Sequence, residues 1–214
     1  MTIAIAMLAF LVSLVFGTLF AAAKLSSSRI LRLVATVYTT VFRGVPELLV
    51  IYLVFFGGGA LLRTIASGLF GYDGYVEPHT FVIGVFCIGI SAGAYSTEVI
   101  RGAVQSLPLG QLEAARAIGM SRWLRFHRVL VPQAARFAIP GLTNVWQLIL
   151  KDTSLISDDG KEEKKSTKAI GAGSTQQPFT FYITAFMLFL VLAWLSQRLF
   201  NSAEVWANRG VRTA

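Results

Sequence analysis

The first 23 residues, Met1 to Ala23, are almost wholly apolar and carry no charge. A bilayer core about 30 Å thick takes about 20 apolar residues to cross as a helix, so this run is long enough to span it. A cleaved secretory leader is the competing reading. The run is too long for one, lacks a basic segment ahead of it and is followed by Lys24. Because the chain starts almost inside the run, a few further residues are expected upstream. The whole chain follows the same pattern. Of its 214 residues 55% are hydrophobic and 14% charged, against roughly 25% charged in an average soluble domain. Intrinsic disorder, a coiled coil and a disulfide scaffold are excluded, and an integral membrane protein remains.

Four more apolar segments are expected to cross the membrane, over 46–66, 80–100, 134–152 and 179–199. With the first at 1–23 they make five spans in a single domain covering 1–214. The second is interrupted by Gly57-Gly58-Gly59 and carries Glu47 and Arg63 near its ends, and the fourth carries Asn144 and Gln147. The fold class is therefore all-α, a polytopic membrane helix bundle.

The net charge of +8 would suit nucleic-acid binding if it were clustered on a soluble face. Its placement indicates membrane topology instead. Lys24, Arg29, Arg32 and Arg43 follow the first span. Arg101, Arg116, Arg122, Arg125, Arg128 and Arg136 lie between the third and fourth. Arg198, Arg209 and Arg212 come at the end. These are 13 of the 19 basic residues, and with five spans they fall on one side, which the positive-inside rule makes the cytoplasm. From Ser67 to His79 there is no Lys or Arg, only Asp73 and Glu77, so that loop and the N-terminus should face outward. No nucleic-acid partner is expected. The outward segment from Lys151 to Lys168 balances five Lys against five acidic residues and reads as a solvated loop.

Residues for chemistry within the chain are scarce. Cys87, the only cysteine, sits inside the third span and suits packing. His79 and His127 fall on opposite sides of the membrane, so no metal site is expected. Gly160-Lys161 lacks the spacing of a phosphate-binding loop, so ATP hydrolysis is not expected in this chain. Polar residues within spans are costly in lipid and carry more information. Glu98 and Arg101 share a helix face at the inner end of the third span, either as a mutual ion pair or in gating. Asn144, Gln147 and Lys151, with Asp152, follow helical spacing on the fourth. They would line a polar path or bond between helices. Gly84, Gly89 and Gly93, with Ala92 and Ala94, favour close helix packing by the third span.

The inner loop over 101–133 is the most specific feature. Ser106 is placed to cap a short helix and Pro108 suits its first turn. Leu112, Ala115 and Gly119 would share its small-residue face, Gly119 would end it, and a second basic helix is expected up to Pro132. Such a helix suits either a groove on another protein or an anionic lipid surface.

Glu113-Ala114-Ala115, three residues, Gly119, nine residues and Val129-Leu130-Val131-Pro132 resemble the EAA loop of ABC-importer permeases. Phe42-Arg43-Gly44-Val45-Pro46-Glu47-Leu48-Leu49 is similar to the motif opening the second span of the polar amino acid subfamily. Trp146-Gln147-Leu148-Ile149-Leu150-Lys151-Asp152-Thr153-Ser154-Leu155 is similar to the end of its fourth span. Ala94-Tyr95-Ser96-Thr97-Glu98 with Arg101-Gly102-Ala103 also fits. The resemblance covers most of the chain, and permeases for histidine and basic amino acids or for opines look most similar.

The resemblance implies a type I ABC importer permease in the bacterial inner membrane, with a periplasmic N-terminus and a cytoplasmic C-terminus. A second permease subunit would complete the pathway as a homodimer or heterodimer. An ABC ATPase subunit would use ATP, and a periplasmic substrate-binding protein would deliver the ligand. Membrane lipid surrounds the whole. Glu113, Ala114, Ala115, Gly119 and Pro132 would then couple the ATPase to the spans, by turning subunit rotation into a rocking of the bundle. The resemblance departs after Ser154-Leu155-Ile156-Ser157, where Asp158, Asp159, Lys161, Lys164 and Lys165 replace apolar residues. Such charges resist burial by up to about 2.5–3.5 kcal/mol each at a bilayer centre, so the segment is expected in water. Two other classes compete with an importer. An ion-coupled secondary transporter would need more ionisable groups at mid-membrane, and a non-transporting scaffold would lack a polar path.

Overall fold

The computed structural model describes residues 2–46, 49, 50, 52, 53, 57, 80–159 and 178–208, and the regular structure there is entirely helical. In chain order the helices are α1 (Thr2–Leu25), α2 (Arg29–Gly44), α3 (Thr80–Gln105), α4 (Leu109–Ala117), α5 (Arg122–Arg125), a π-helical segment (Phe126–Leu130), α6 (Val131–Asp159) and α7 (Pro178–Ala207). Among the described residues three helices are long and apolar enough to cross a membrane: Thr2–Leu25, Phe81–Gln105 and Ile183–Ala207. The fourth long helix, α6, has 29 residues and so reaches about 43 Å, but it is more polar, as its Asn144 and Gln147 foretell.

Small residues set the packing of α1 on α3. Ala9, Ser13, Gly17 and Ala21 recur every fourth residue and are all buried. Facing them, Gly89 lies against Ala9 and Val12, Gly93 against Ser13 and Phe16, and Gly17 against Ser96 and Ile100. Side chains this small let two backbones approach closely, which is how helices associate where lipid removes the hydrophobic drive between them. The partners rise in number together, so α1 and α3 run parallel. Helix α6 packs on α3 in the opposite sense. Gly141 meets Val99, whereas Val145 and Ile149 share a core with Val85 and Ile88. Helix α7 runs antiparallel to α6, because Arg136 meets Ala207 and Gln147 meets Ala193. The ends of α1, α3 and α7 and the start of α6 therefore gather at one end of the bundle. Phe10, Trp146 and Phe200 close the middle of α1, α6 and α7, with ring centroids 5.4–6.1 Å apart.

The helices run past several of the expected span limits. The stretch after the first span, noted in the sequence only for its basic residues, contains α2, which docks through buried Ala35 and Thr39. Tyr38 stacks on Phe20 at 4.1 Å and its hydroxyl donates to the Ile90 carbonyl at 2.5 Å. Helix α3 continues to Gln105, so the first residues of the expected inner loop, from Arg101, are helical. Ser106 does not cap α4. Its hydroxyl donates back to the Gly102 carbonyl at 2.9 Å, and Pro108 holds the N-cap position without a side-chain bond. Nor does a separate basic helix end at Pro132. The backbone stays helical through Phe126 and Val131, so α5, the π segment and α6 form one continuous rod. Val131 N–H bonds to the Phe126 carbonyl, five residues back. The wider π turn accommodates Pro132, which lacks an N–H and whose ring would press on the carbonyl of Arg128. The helix that contains the expected fourth span, 134–152, thus starts at Val131 and runs to Asp159, into the expected outer loop at 153–178.

Most of the expected second span, with Glu47, Gly58, Gly59 and Arg63, lies outside the described residues. So do the expected outer loop with Asp73, Glu77 and His79, and the charged stretch from Gly160 to Lys168.

Candidate functional site

The gathered end of the bundle holds the inner loop. Helix α4 is short and leans on the rod beside it, meeting α5 and the π segment. Ala115 is buried there and Leu112 half-buried, while Glu113 and Ala114 are exposed. Gly119, also exposed, stands at φ 77°. Around it Gly119 N–H bonds to the Arg116 carbonyl at 2.9 Å and Met120 N–H to the Ala115 carbonyl at 3.1 Å. This pair of bonds is the Schellman termination, whose left-handed residue is normally glycine. The next element starts cleanly, because Ser121 Oγ accepts from Leu124 N–H at 3.3 Å and satisfies a donor at the helix start. The loop therefore presents α4 as a discrete rod, its exposed face carrying Glu113, with Ile118 78% and Leu109 73% exposed at its ends.

Glu98 and Arg101 pair as their spacing suggests, with Arg101 Nη2 2.8 Å from Glu98 Oε2. Arg101 Nη1 also donates to Gln105 at 2.8 Å. Sequence reasoning missed a third member: Lys24 of α1 pairs with the other carboxylate oxygen of Glu98. Its only advance signal was its place at the end of the first apolar run. All three are partly buried, so bulk salt screens them less than it would an exposed pair. Arg136 was likewise missed as an individual contact. Its Nε donates to the carbonyl of Ala207 at 2.8 Å, which places a cation at the negative end of α7.

The polar residues expected on the fourth span all lie on α6. Gln147 is half-buried and donates to the Ala193 carbonyl at 3.3 Å, which is interhelical bonding. Asn144 and Lys151 are exposed on this chain, and Asp152 is buried. Pro132 is exposed, at the start of α6. Cys87 is fully buried between the helices.

Residues 13–205 match the family model described as "Binding-protein-dependent transport system inner membrane component". The chain is 66% identical over 213 residues to the nopaline transport system permease protein NocQ of Agrobacterium fabrum, a match covering 100% of this chain and 90% of that protein. It is 50% identical to the octopine transport system permease protein OccQ of Rhizobium radiobacter, covering 99% of this chain and 89% of the relative. Among solved structures, the crystal structure of an amino acid ABC transporter with histidines superposes with a TM-score of 0.76 at 29% identity, over 95% of this chain and 89% of that one.

Proposed function

The chain belongs to the family of binding-protein-dependent transport system inner membrane components, and from that premise we propose that it carries an opine of the nopaline kind across the bacterial inner membrane. It is the permease of an ABC importer, a multi-pass membrane protein. The observation that carries the substrate class is the 66% identity to a nopaline permease along the whole chain.

In this reading ATP is used by a separate ATPase subunit that receives α4 in a cleft, with Glu113 and Ala114 facing it and Ala115 holding the helix to the rod. Gly119 sets the angle of α4, and Pro132 lies where the rod enters the membrane. A second permease, the same or related, completes the pathway, and a periplasmic binding protein delivers the ligand. The N-terminus is periplasmic, and the loop and C-terminus are cytoplasmic. The basic residues at the gathered end support that orientation. Five spans follow if the chain returns across the membrane between the parallel α1 and α3, as the sequence expects over 46–66. Asn144 and Lys151 would face the seam with the second permease. Polar groups on a spanning helix are disfavoured against lipid and favoured against protein or water.

The test is reconstitution of the copurified complex in proteoliposomes with its binding protein, measuring ATP hydrolysis with nopaline, octopine, arginine and histidine in turn. Nopaline should stimulate most. No stimulation by any of the four would remove the substrate class. Replacing Glu113 by Ala should lower uptake by at least about tenfold, the scale of a lost intersite coupling, with normal membrane insertion. Undiminished uptake would refute the coupling role of α4.

A further inference from the structure

The coupling helix touches the bundle through few routes. Among the described residues α4 meets α5 and the π segment, so a push on it enters the spans where the loop leaves α3 and where the rod becomes α6. Each of those points carries a charged contact to a helix that the loop does not continue into. At the first, Glu98 on α3 is held by Arg101 on its own helix and by Lys24 on α1. At the second, Arg136 on α6 donates to the terminal carbonyl of α7.

We propose that these two contacts fasten α1 and α7 to the ends of the coupling loop, so that displacement of α4 moves all four long helices together. The assignment rests on the transport reading above and adds Lys24 and Arg136 as positioning residues. Packing already holds α1 close to α3, with Val12 against Gly89 and Phe16 against Gly93. The charged contact adds a fixed point at the end of that seam nearest the loop. A carboxylate shared by two cations fixes the register at one point, and the Arg136 bond does the same for α7.

The geometry also makes the test clean. When Lys24 is replaced, Glu98 keeps Arg101, so no buried charge is left alone. When Arg136 is replaced, the Ala207 carbonyl stands at a half-buried helix end that water can reach. The experiment measures nopaline taken up per ATP hydrolysed by the copurified complex in proteoliposomes with its binding protein. Lys24→Met and Arg136→Gln should each lower that ratio by about tenfold, while ATP hydrolysis and the amount of permease in the membrane stay near wild type. Lys24→Arg should retain the ratio, because it keeps the charge.

An unchanged ratio in both uncharged variants would overturn the proposal. So would equal losses in Lys24→Met and Lys24→Arg, or absence of Lys24→Met from the membrane, which would assign the contact to folding. A wild-type complex that ignores nopaline would overturn the transport reading and this inference with it. A coupled wild type beside unaffected variants overturns the inference alone.

Discussion

At Gly89 a methyl group would stand 2.6 Å from Val12 Cγ1 and 3.1 Å from the Ala9 carbonyl oxygen. The second contact is with backbone, so α1 as a whole would have to move. Gly89→Ala is expected to destabilise the bundle by about 1–3 kcal/mol, as overpacked cores do, seen as a lower thermal midpoint in detergent or lipid. Gly102, on the same helix, has nothing within 4 Å. Gly102→Ala should leave the midpoint unchanged or raise it slightly, through the better helix propensity of alanine. Equal effects at the two sites would mean that the close approach of α1 and α3 does not govern stability. The small residues of the third span were legible in the sequence as a packing surface. Which helix they meet was not, because nothing local to Gly89 names Val12.

The inner loop shows how far an element can be read from its residues. Its helix, its ending at Gly119 and its basic continuation all follow from local chemistry. The cap at Ser106 does not, since that hydroxyl turns back to Gly102. Gly119 can be tested apart from packing, because no atom lies within 4 Å of where its Cβ would be. Any cost of substitution there is conformational, about 1–2 kcal/mol for an L-residue in the left-handed region. Gly119→Val should therefore lower uptake while shifting the thermal midpoint by no more than the few degrees that such a cost implies, and Gly119→Asn should lower uptake least, since Asn tolerates that region. Transport assays beside melting curves check this. A fall in the midpoint that tracked uptake would assign Gly119 to stability. Helix α2 escaped sequence reading for a different reason. Its polar residues suit a connection, and only the docking of Tyr38 on Phe20 and Ile90 reveals a packed helix.

For the whole molecule, Cys87 offers a direct probe. It is the sole cysteine of the chain and fully buried. A membrane-permeant thiol reagent should leave the folded protein unlabelled and label it in step with loss of helicity on unfolding. Rapid labelling under native conditions would contradict the packing of α1, α3 and α6. In a Cys87→Ala background, Ser106→Cys should react with an impermeant reagent only when the cytoplasmic face is open to it. Labelling from the outer face would reverse the proposed orientation. The bundle leaves much apolar surface uncovered, with Leu53, Phe179 and Leu199 each about 70% exposed or more. In lipid that surface needs no cover from this chain, which is why one permease subunit can be so open a structure.

The sequence by itself determined the all-helical membrane class, the long apolar runs, the clustering of the basic residues and the family. Each of these rests on properties read along the chain: a bilayer dictates the length of an apolar run, and charge and turn chemistry repeat at short spacings. The contacts that join the spans were decided only by tertiary structure. Lys24 and Glu98 are 74 residues apart and Arg136 and Ala207 are 71 apart. Which charge meets which depends on the order and direction in which the helices pack. The π turn before Pro132 belongs to the same group. A proline in the sequence equally permits a break or an accommodated rod, and the packing of α6 on α3 selects the rod.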